Sequence, residues 1–598
     1  MRLPQTLAVC FALVAVLPAC AQDRPPPKYE FRASWIATVA NLDWPVRGAS
    51  SASQQDDLTD MLDGLNEVGI NAVFLQVRSE ADAMYDSDIE PWSYWLTGTQ
   101  GEEPDPYWDP LEFAIAEAHV RGMELHAWFN PFRAARYNYE RTDDHVTVQH
   151  PEWILEFDDL KILNPGLPDV RDYVTGVIMD VVWRYDIDGI HFDDYFYPYP
   201  PNNITDEDEQ THQDHGRGID DIGDWRRDNV NLFVVQVADS IRAVKPEVAY
   251  GVSPFGIWKN GVPEGIVGLD AYNVIFADPL AWIEDESIDY LVPQLYWPFG
   301  GDQDYEKLAP WWLDQIGSLH LYIGHGLYRA DPNTNSGTLF APEEVPEQVR
   351  FNRLWPDMRG SSFFRAKNLT DYHSQGFSDT LKSDLYRHRS LTPPMAWKDE
   401  TAPEAPSNLR FEWTGTTEAT LEWDAASESA PYYAIYRVLS ESEPDPGEAY
   451  NEARNLLAVT SRLSVTDHPG MADDPWWYFV TGVSENSIES DASNMVSLEG
   501  RATFVERDAK ESIVRFVNYP NPFRERTLLV FELERPAYVR LRVFDVLGRV
   551  VATLIDGEWM GAVEQSYHWE AIGLRSGLYF AVLETDTRTI RRHIILAK

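Results

Sequence analysis

Ile187-Asp188-Gly189-Ile190-His191-Phe192-Asp193-Asp194-Tyr195, followed by the aromatic–proline run FYPYPP at 196–201, is the stretch on which the rest of the chain depends. Ile187, Ile190 and Phe192 suit a buried strand, yet Asp188, His191, Asp193 and Asp194 stand among them. Burying unpaired charge is costly, so a strand ending in adjacent carboxylates is expected to open into a polar site. The plainer reading is a solvated loop or a helix cap. His191 and Asp193 lie two residues apart, on one face of the strand, which favours the site.

To either side, short apolar strands alternate with helical patterns. Strands are expected at 31–39, 71–77, 123–130, 187–194, 249–255, 290–297, 321–328 and 361–368. Helical stretches are expected at 54–68, 109–121, 168–185, 224–244, 278–286, 304–317, 343–356 and 377–388. Eight strand-then-helix units predict an α/β fold, a (β/α)8 TIM barrel over 29–390, rather than an open sheet. Active sites of such barrels sit at the C-terminal strand ends. The polar residues fall there: Gln76 and Arg78 on the second strand, His126, Trp128 and Asn130 on the third with Arg133 beyond, and Asp193 and Asp194 on the fourth. Ser253 is late in the fifth, Gln294, Tyr296 and Trp297 close the sixth, His325 and Tyr328 lie in the seventh, and Arg365 and Asn368 in the eighth. Strand neighbours point opposite ways, so Asp193 is expected to face the axis with His191, and Asp194 to reach the site only if the strand stops there. The aromatic loops 85–98 and 136–153 are long enough to wall a groove. The acidic stretch 205–221 reads as a solvated lid or insertion and lacks EF-hand spacing.

The 598 residues carry a net charge of −48, spread along the chain, which argues against nucleic acid and anionic membrane surfaces as partners. Residues 1–21 read as an export signal: Arg2, the apolar run 7–18, then small residues. Cleavage after the Ala19-Cys20-Ala21 site is preferred to lipidation at Cys20, the alternative that would give an outer-membrane lipoprotein. Both cysteines, Cys10 and Cys20, lie in this segment, so a mature chain from Gln22 has no thiol for disulfides, metal or catalysis. No later apolar run is long enough to span a membrane.

A Pro-rich linker at 391–406 leads to short alternating strands over 407–498, a β-sandwich pattern. Its Pro406/Leu409 opening, Trp423, Tyr433/Tyr436 and the closing YFVTGVS at 478–484 resemble a fibronectin type III module, which implies a spacer or binding unit. A second small all-β sandwich is expected over 514–598. Its motifs NYPNPF (518–523), VRLRVFDVLGRVVATL (539–554), GLRSGLYFAVLE (573–584) and RRHIILAK (591–598) resemble the C-terminal sorting domain of the type IX secretion system. That resemblance implies the secretion machinery as a partner and delivery to the cell surface or the exterior.

The barrel also carries a resemblance. RASWIATVANLDWP (32–45), FLQVRSEADAMYDSDIEPWSYWLTGTQG (74–101), HVRGMELHAWFNPFR (119–133), ILNPGLPDVRDYV (162–174), DGIHFDDYFYP (188–198), WRRDNVN (225–231), GVSPFGIWKNG (251–261) and DYLVPQLYW (289–297) are similar to the glycosyl-hydrolase-like family 10 barrel. The likeness implies a glycoside hydrolase, and a characterised branch of the family implies peptide-free peptidoglycan strands as the polysaccharide, cut between N-acetylmuramic acid and N-acetylglucosamine.

Glycoside hydrolysis usually needs two carboxyls, and a close pair in a barrel mouth keeps one protonated near neutrality. Asp193 and Asp194 are the catalytic candidates. In a further likeness to chitinase-type barrels, Asp188-Gly189 and Asp193 match that family's fourth strand, while His191 replaces an Asp and Tyr195 stands where the catalytic Glu belongs. Glu80, Asp82 and Glu264 are candidates for a missing partner. Alternatively, an N-acetyl sugar supplies its own nucleophile, with Gln294 and Tyr296 orienting it. Arg78, Asn130, Arg133 and Asn164 are expected to bind hydroxyls or a lactyl carboxylate, and Trp128, Trp297 and Tyr195 to stack on sugar faces, with His126 and His191 also in the substrate site. No cofactor or metal is expected. Two rivals stand beside this reading. One is a metal-dependent polysaccharide hydrolase or deacetylase using His191, Asp193, Asp194 and His126. The other is a non-catalytic glycan-binding surface protein, a reading that the Tyr195 departure keeps open.

Overall fold

The computed structural model describes residues 26–597 apart from 335–336, 371–373, 415–417, 426–429, 470–474, 499–512, 534–536, 546–548, 562–563, 572 and 586–588. The expected export signal, with Cys10 and Cys20, lies outside the described residues. The chain divides into two compact units, 1–500 and 501–598.

Eight parallel strands close into a barrel: β1 Phe31–Ile36, β2 Ala72–Arg78, β3 Glu124–Phe129, β4 Gly189–Phe192, β5 Ala249–Val252, β6 Tyr290–Leu291, β7 His320–His325 and β8 Met358–Phe363. Each strand pairs with the next, and β8 pairs with β1 from Phe31↔Gly360 to Ser34↔Phe363. The eighth strand begins and ends earlier than the expected 361–368. The closing seam requires small residues, because a Cβ at Gly360 would lie 2.1 Å from the Phe31 carbonyl. Arg365 therefore lies on the connection above the strand and Asn368 in the short helix Lys367–Thr370 that follows it.

Alternation along the strands separates two cores. Ile36, Val73, Leu75, Leu125, Ile190, Val252, Leu291 and Ile323 face the outer helices. Phe31, Trp35, Phe74, Trp128, Tyr290 and Tyr322 fill the interior, together with the fully buried His126 and His191. The helices start where the sequence supplies caps: Asp109 accepts from the backbone N–H of Leu111 and Glu112 ahead of Pro110–Val120, and Asp221 accepts from Asp224 ahead of Ile222–Val244.

Residues 407–498 form a three-stranded sheet (Ser407–Trp413, Ala419–Asp424, Ser464–Asp467) facing a four-stranded one (Leu456–Thr460, Tyr432–Leu439, Trp476–Val483, Val496–Ser497). This unit docks on the barrel end opposite the C-terminal strand ends. Tyr432 donates to Asp188 at 2.8 Å, Thr460 Oγ1 to the Val120 carbonyl at 2.8 Å, and Lys28 pairs with the buried Glu489. The proline-rich segment before it is not a free tether. Leu391 exchanges backbone hydrogen bonds with Lys28 and Glu30, and Lys398 pairs with Asp289 at 2.7 Å.

In the second compact unit, Ile513–Tyr519, Arg526–Leu533 and Glu564–Glu570 make one sheet. Val550–Met560, Ala537–Asp545, Gly577–Glu584 and Thr589–Leu596 make the other. Phe516, Phe531, Leu541, Trp569 and Leu583 lie in its core. No helix among the described residues is long and apolar enough to cross a membrane.

Candidate active site

β4 ends at Phe192, so the chain is already leaving the sheet at Asp193 and Asp194. Strand alternation no longer applies, and both side chains enter the same cleft of about 650 Å³ at the C-terminal mouth of the barrel. Asp193 is 5 % and Asp194 7 % exposed. The Tyr195 backbone N–H donates to Asp193 Oδ1 at 3.3 Å. Asp193 Oδ2 and the Trp128 indole Nε1 are both buried without a well-formed hydrogen bond.

Burial pushes both carboxyls up. For Asp193 the Arg133 guanidinium opposes this, as do the Tyr195 amide and the Trp128 indole, leaving its pKa at about 7. For Asp194 the charge of Asp193 adds to burial, and its pKa stands well above the carboxylate range despite Arg133 and Gln294. The pair therefore shares its protons: burial and the neighbouring charge favour the proton on Asp194, and the Arg133 guanidinium favours the charge on Asp193. Arg133 is 4 % exposed, and its guanidinium carbon lies over the Tyr195 ring, 3.8 Å from the ring centre. Burial alone would weaken its charge, but Tyr195 and Asp193 facing it raise its pKa overall.

Across the mouth, Gln294 Nε2 donates to the Ser253 carbonyl at 2.9 Å. Tyr296 packs among Tyr328 and Phe364, and its phenol is held neutral because burial pushes its pKa well up. Trp35, Gln76, Tyr199, Asp331, Phe364, Arg365 and Asn368 complete the walls. The cleft is thus part aromatic and part polar, in the size range of a small-ligand site.

Asp193, Asp194, Trp128, Arg133, Tyr195, Gln294 and Tyr296 are brought together as expected from sequence. The other six candidates do not line the cleft. Arg78 is fully buried and makes a two-pronged pair with Glu90 at 2.6 and 2.7 Å, with its remaining guanidinium nitrogen on the Asn130 and Pro131 carbonyls. Asn130 accepts from Gln76 at 2.7 Å and so orients a wall residue instead of forming one. Asn164 is spent on Thr211 and the Gly166 amide. Trp297 packs on Gly256. His126 and His191 lie inside the barrel, below the floor. Strand position alone does not separate a rim residue from one a layer deeper or one turned outward.

Tyr199 and Trp35 were legible, one in the quoted FYPYPP run and the other on the interior face of β1. Asp331 had no signal, since it arrives on the loop after β7.

The proposed partners of the aspartates are also elsewhere. Glu80 and Asp82 are buried beneath Tyr139, which donates to them at 3.0 and 3.3 Å, and Glu264 is exposed. The Asp188 of the chitinase-like match sits at the opposite end of β4, held by His119 at 2.9 Å and the Leu125 amide at 2.7 Å. The aromatic loops 85–98 and 136–153 pack on each other, with Tyr94 stacked on Tyr139 at 4.0 Å, and leave the cleft walls to other loops. The acidic stretch 205–221 is pinned through Asp208, which Arg226 grips at 2.5 and 2.9 Å. Among the described residues no group of three or more His, Cys, Asp or Glu is placed to hold a metal ion. His191 spends both ring nitrogens on Tyr290 and Ser253.

The family model described as glycosyl hydrolase-like 10 matches residues 30–339, and that of the secretion system C-terminal sorting domain matches 518–597. The first match stops before β8, although the barrel closes only with it. The glycosyl hydrolase YngK of Bacillus subtilis (strain 168) is 36% identical over 485 residues, 78% of this chain and 92% of that protein. The glycosyl hydrolase DigH of Escherichia coli (strain K12) is 36% identical over 396 residues, 61% of this chain and 89% of that protein. Among solved structures, the PgaB (BpsB) glycoside hydrolase domain from Bordetella bronchiseptica is 12% identical with a TM-score of 0.40, over 61% of this chain and 100% of that one.

Proposed function

The chain belongs to the glycosyl hydrolase-like 10 family and ends in a type IX sorting domain that marks it for export, and from that premise we propose that its barrel hydrolyses glycosidic bonds in an N-acetylated polysaccharide. The substrate we favour is the peptide-free glycan strand of peptidoglycan. The observation carrying the reading is the buried Asp193–Asp194 pair in one cleft, with Arg133 beside it and their pKa values pushed apart. Two titratable groups separated in this way are an acid and a base in waiting.

Asp194, protonated near neutrality, gives its proton to the leaving glycosidic oxygen. Asp193, ionised beside Arg133, stabilises the positive charge that develops at the sugar carbon. Both carboxyls come from one turn on one wall. The arrangement therefore suits a substrate whose own acetamido oxygen attacks, with Asp193 holding the acetamido N–H and Tyr296 and Gln294 fixing the group. Arg133 and Arg365 supply positive charge for an acidic sugar substituent, and Trp35, Tyr195 and Tyr199 supply ring faces. We read the sheet unit at 407–498 as fibronectin type III-like.

Reducing-end release from peptide-free glycan strands tests this. Asp194→Asn is expected to lower kcat by about 10³-fold or more, the scale of losing a general acid, and Asp193→Asn by about 10²-fold or more, with strand binding kept in both. Binding without new reducing ends in the wild type would make the protein a glycan-binding one.

A further inference from the structure

Beneath the cleft, a line of polar side chains crosses the barrel interior from end to end. At the end away from the cleft, Glu124 opens β3, and its Oε1 accepts from Thr392 of the proline-rich segment at 2.5 Å, with Ser487 of the docked sheet unit at 3.5 Å. Glu124 Oε2 lies 3.1 Å from His126 Nε2. His126 Nδ1 is 2.8 Å from the Tyr290 hydroxyl, which is 3.1 Å from His191 Nδ1. His191 Nε2 is 2.8 Å from Ser253 Oγ. His126, Tyr290, His191 and Ser253 are all fully buried.

Two glycines make room for the line. A Cβ at Gly189 would lie 2.3 Å from His126 Nδ1, and one at Gly251 would lie 2.1 Å from the Tyr290 ring. Phe74 stacks on His191 at 3.9 Å and holds the imidazole plane. At the upper end, Gln294 Nε2 donates to the Ser253 carbonyl at 2.9 Å and lines the cleft together with Asp194.

The chemistry of the lower end orders the whole line. A carboxylate only accepts, and a neutral imidazole has one donor and one acceptor nitrogen. With both imidazoles neutral, His126 must donate from Nε2 to Glu124, so its Nδ1 accepts from the Tyr290 hydroxyl. Tyr290 then accepts from His191 Nδ1–H, and His191 Nε2 accepts from the Ser253 hydroxyl. Every link is satisfied in one direction, and only Glu124 breaks the symmetry.

We propose that Glu124 is a positioning residue that gives this line its single direction, and that the proline-rich segment and the docked sheet unit holding Glu124 are thereby part of the machinery setting Ser253 and Gln294 beneath Asp194. The kinetic consequence rests on the glycosidase reading, whereas the direction itself does not.

The test uses the full chain with ¹⁵N-labelled histidine and long-range ¹⁵N–¹H correlation, assigned with single His→Gln variants. The expected wild-type result is His126 protonated on Nε2 and His191 on Nδ1. Glu124→Gln, whose amide offers both a donor and an acceptor, is expected to mix the tautomers of both histidines. It should lower kcat per folded molecule by about tenfold with KM within about twofold, the folded fraction being counted from the same ¹⁵N spectra because loss of folded protein alone would also lower apparent kcat at unchanged KM. Glu124→Asp, which keeps an obligate acceptor, should retain the wild-type tautomers. His191 protonated on Nε2, or a cationic His126, in the wild type overturns the proposal without any variant. So does a Glu124→Gln protein with unchanged tautomers, whatever its rate. If the wild type cleaves no glycan, the glycosidase reading fails and the tautomers alone decide this proposal.

Discussion

Asp193 and Asp194 are neighbours whose fates diverge because at Asp193 the Arg133 guanidinium offsets burial, whereas at Asp194 its neighbour's charge adds to burial. Activity requires the first ionised and the second protonated. The rate is expected to fall on the acid side as Asp193 takes up a proton near pH 7, and on the alkaline side as Asp194 loses its own, giving a bell in kcat/KM whose limbs belong to the pair. Stability runs the other way. Both folded-state pKa values lie above the unfolded one, so the stability these groups contribute is full below about pH 4 and lost as pH rises through the folded values. Asp193→Asn, which keeps the shape and removes the charge, is expected to stabilise the fold at pH 8 by on the order of a few kcal/mol. Urea denaturation should show that gain shrinking towards pH 5; a gain independent of pH would exclude a buried charge as its cause.

At the scale of one strand, the point where regular pairing stops decides which side chains reach the cleft. β4 stops at Phe192, so two consecutive carboxyls share one cleft. β2 runs on to Arg78, which still turns away from the axis towards Glu90, beside the surrounding helices and loops. Arg78 and Glu90 are a buried pair, and removing one partner leaves the other uncompensated. Arg78→Met is expected to cost about 3–5 kcal/mol in urea unfolding, while KM for glycan in the folded fraction stays within about twofold of wild type. A large rise in KM with little loss of stability would return Arg78 to the substrate. The eight strands and their helices were legible because each strand alternates or runs apolar for its own length. The depth of His126 was not, because it depends on partners such as Tyr290 far away in sequence, nor was the outward turn of Arg78, because the pairing of β2 with β3 shifts register between Gln76 and Arg78.

For the whole molecule, the docked sheet unit and the sorting domain make different demands. Tyr432, Thr460 and Glu489 satisfy polar groups of the barrel end: the Asp188 carboxylate, the Val120 carbonyl and the Lys28 amine. A chain ending at residue 406 would leave Asp188 and Lys28 short of partners. Such a chain is expected to lose roughly 5 °C or more in melting midpoint, or to become insoluble. A chain ending at residue 500 keeps the whole first compact unit, and its barrel midpoint and glycan cleavage should match those of the full chain. Differential scanning calorimetry of the two truncations decides this, and equal midpoints would make the sheet unit a mere passenger. By itself the sequence determined the barrel, the two later all-β units, the sorting tail and the acidic turn at the heart of the cleft, because strand periodicity, turn residues and local motifs act over a few residues at a time. Only the tertiary structure decided which polar side chains meet in the cleft, which are spent on buried pairs, and that the sheet unit closes the far end of the barrel. Those outcomes are set by contacts between residues tens to hundreds of positions apart, which no local pattern encodes.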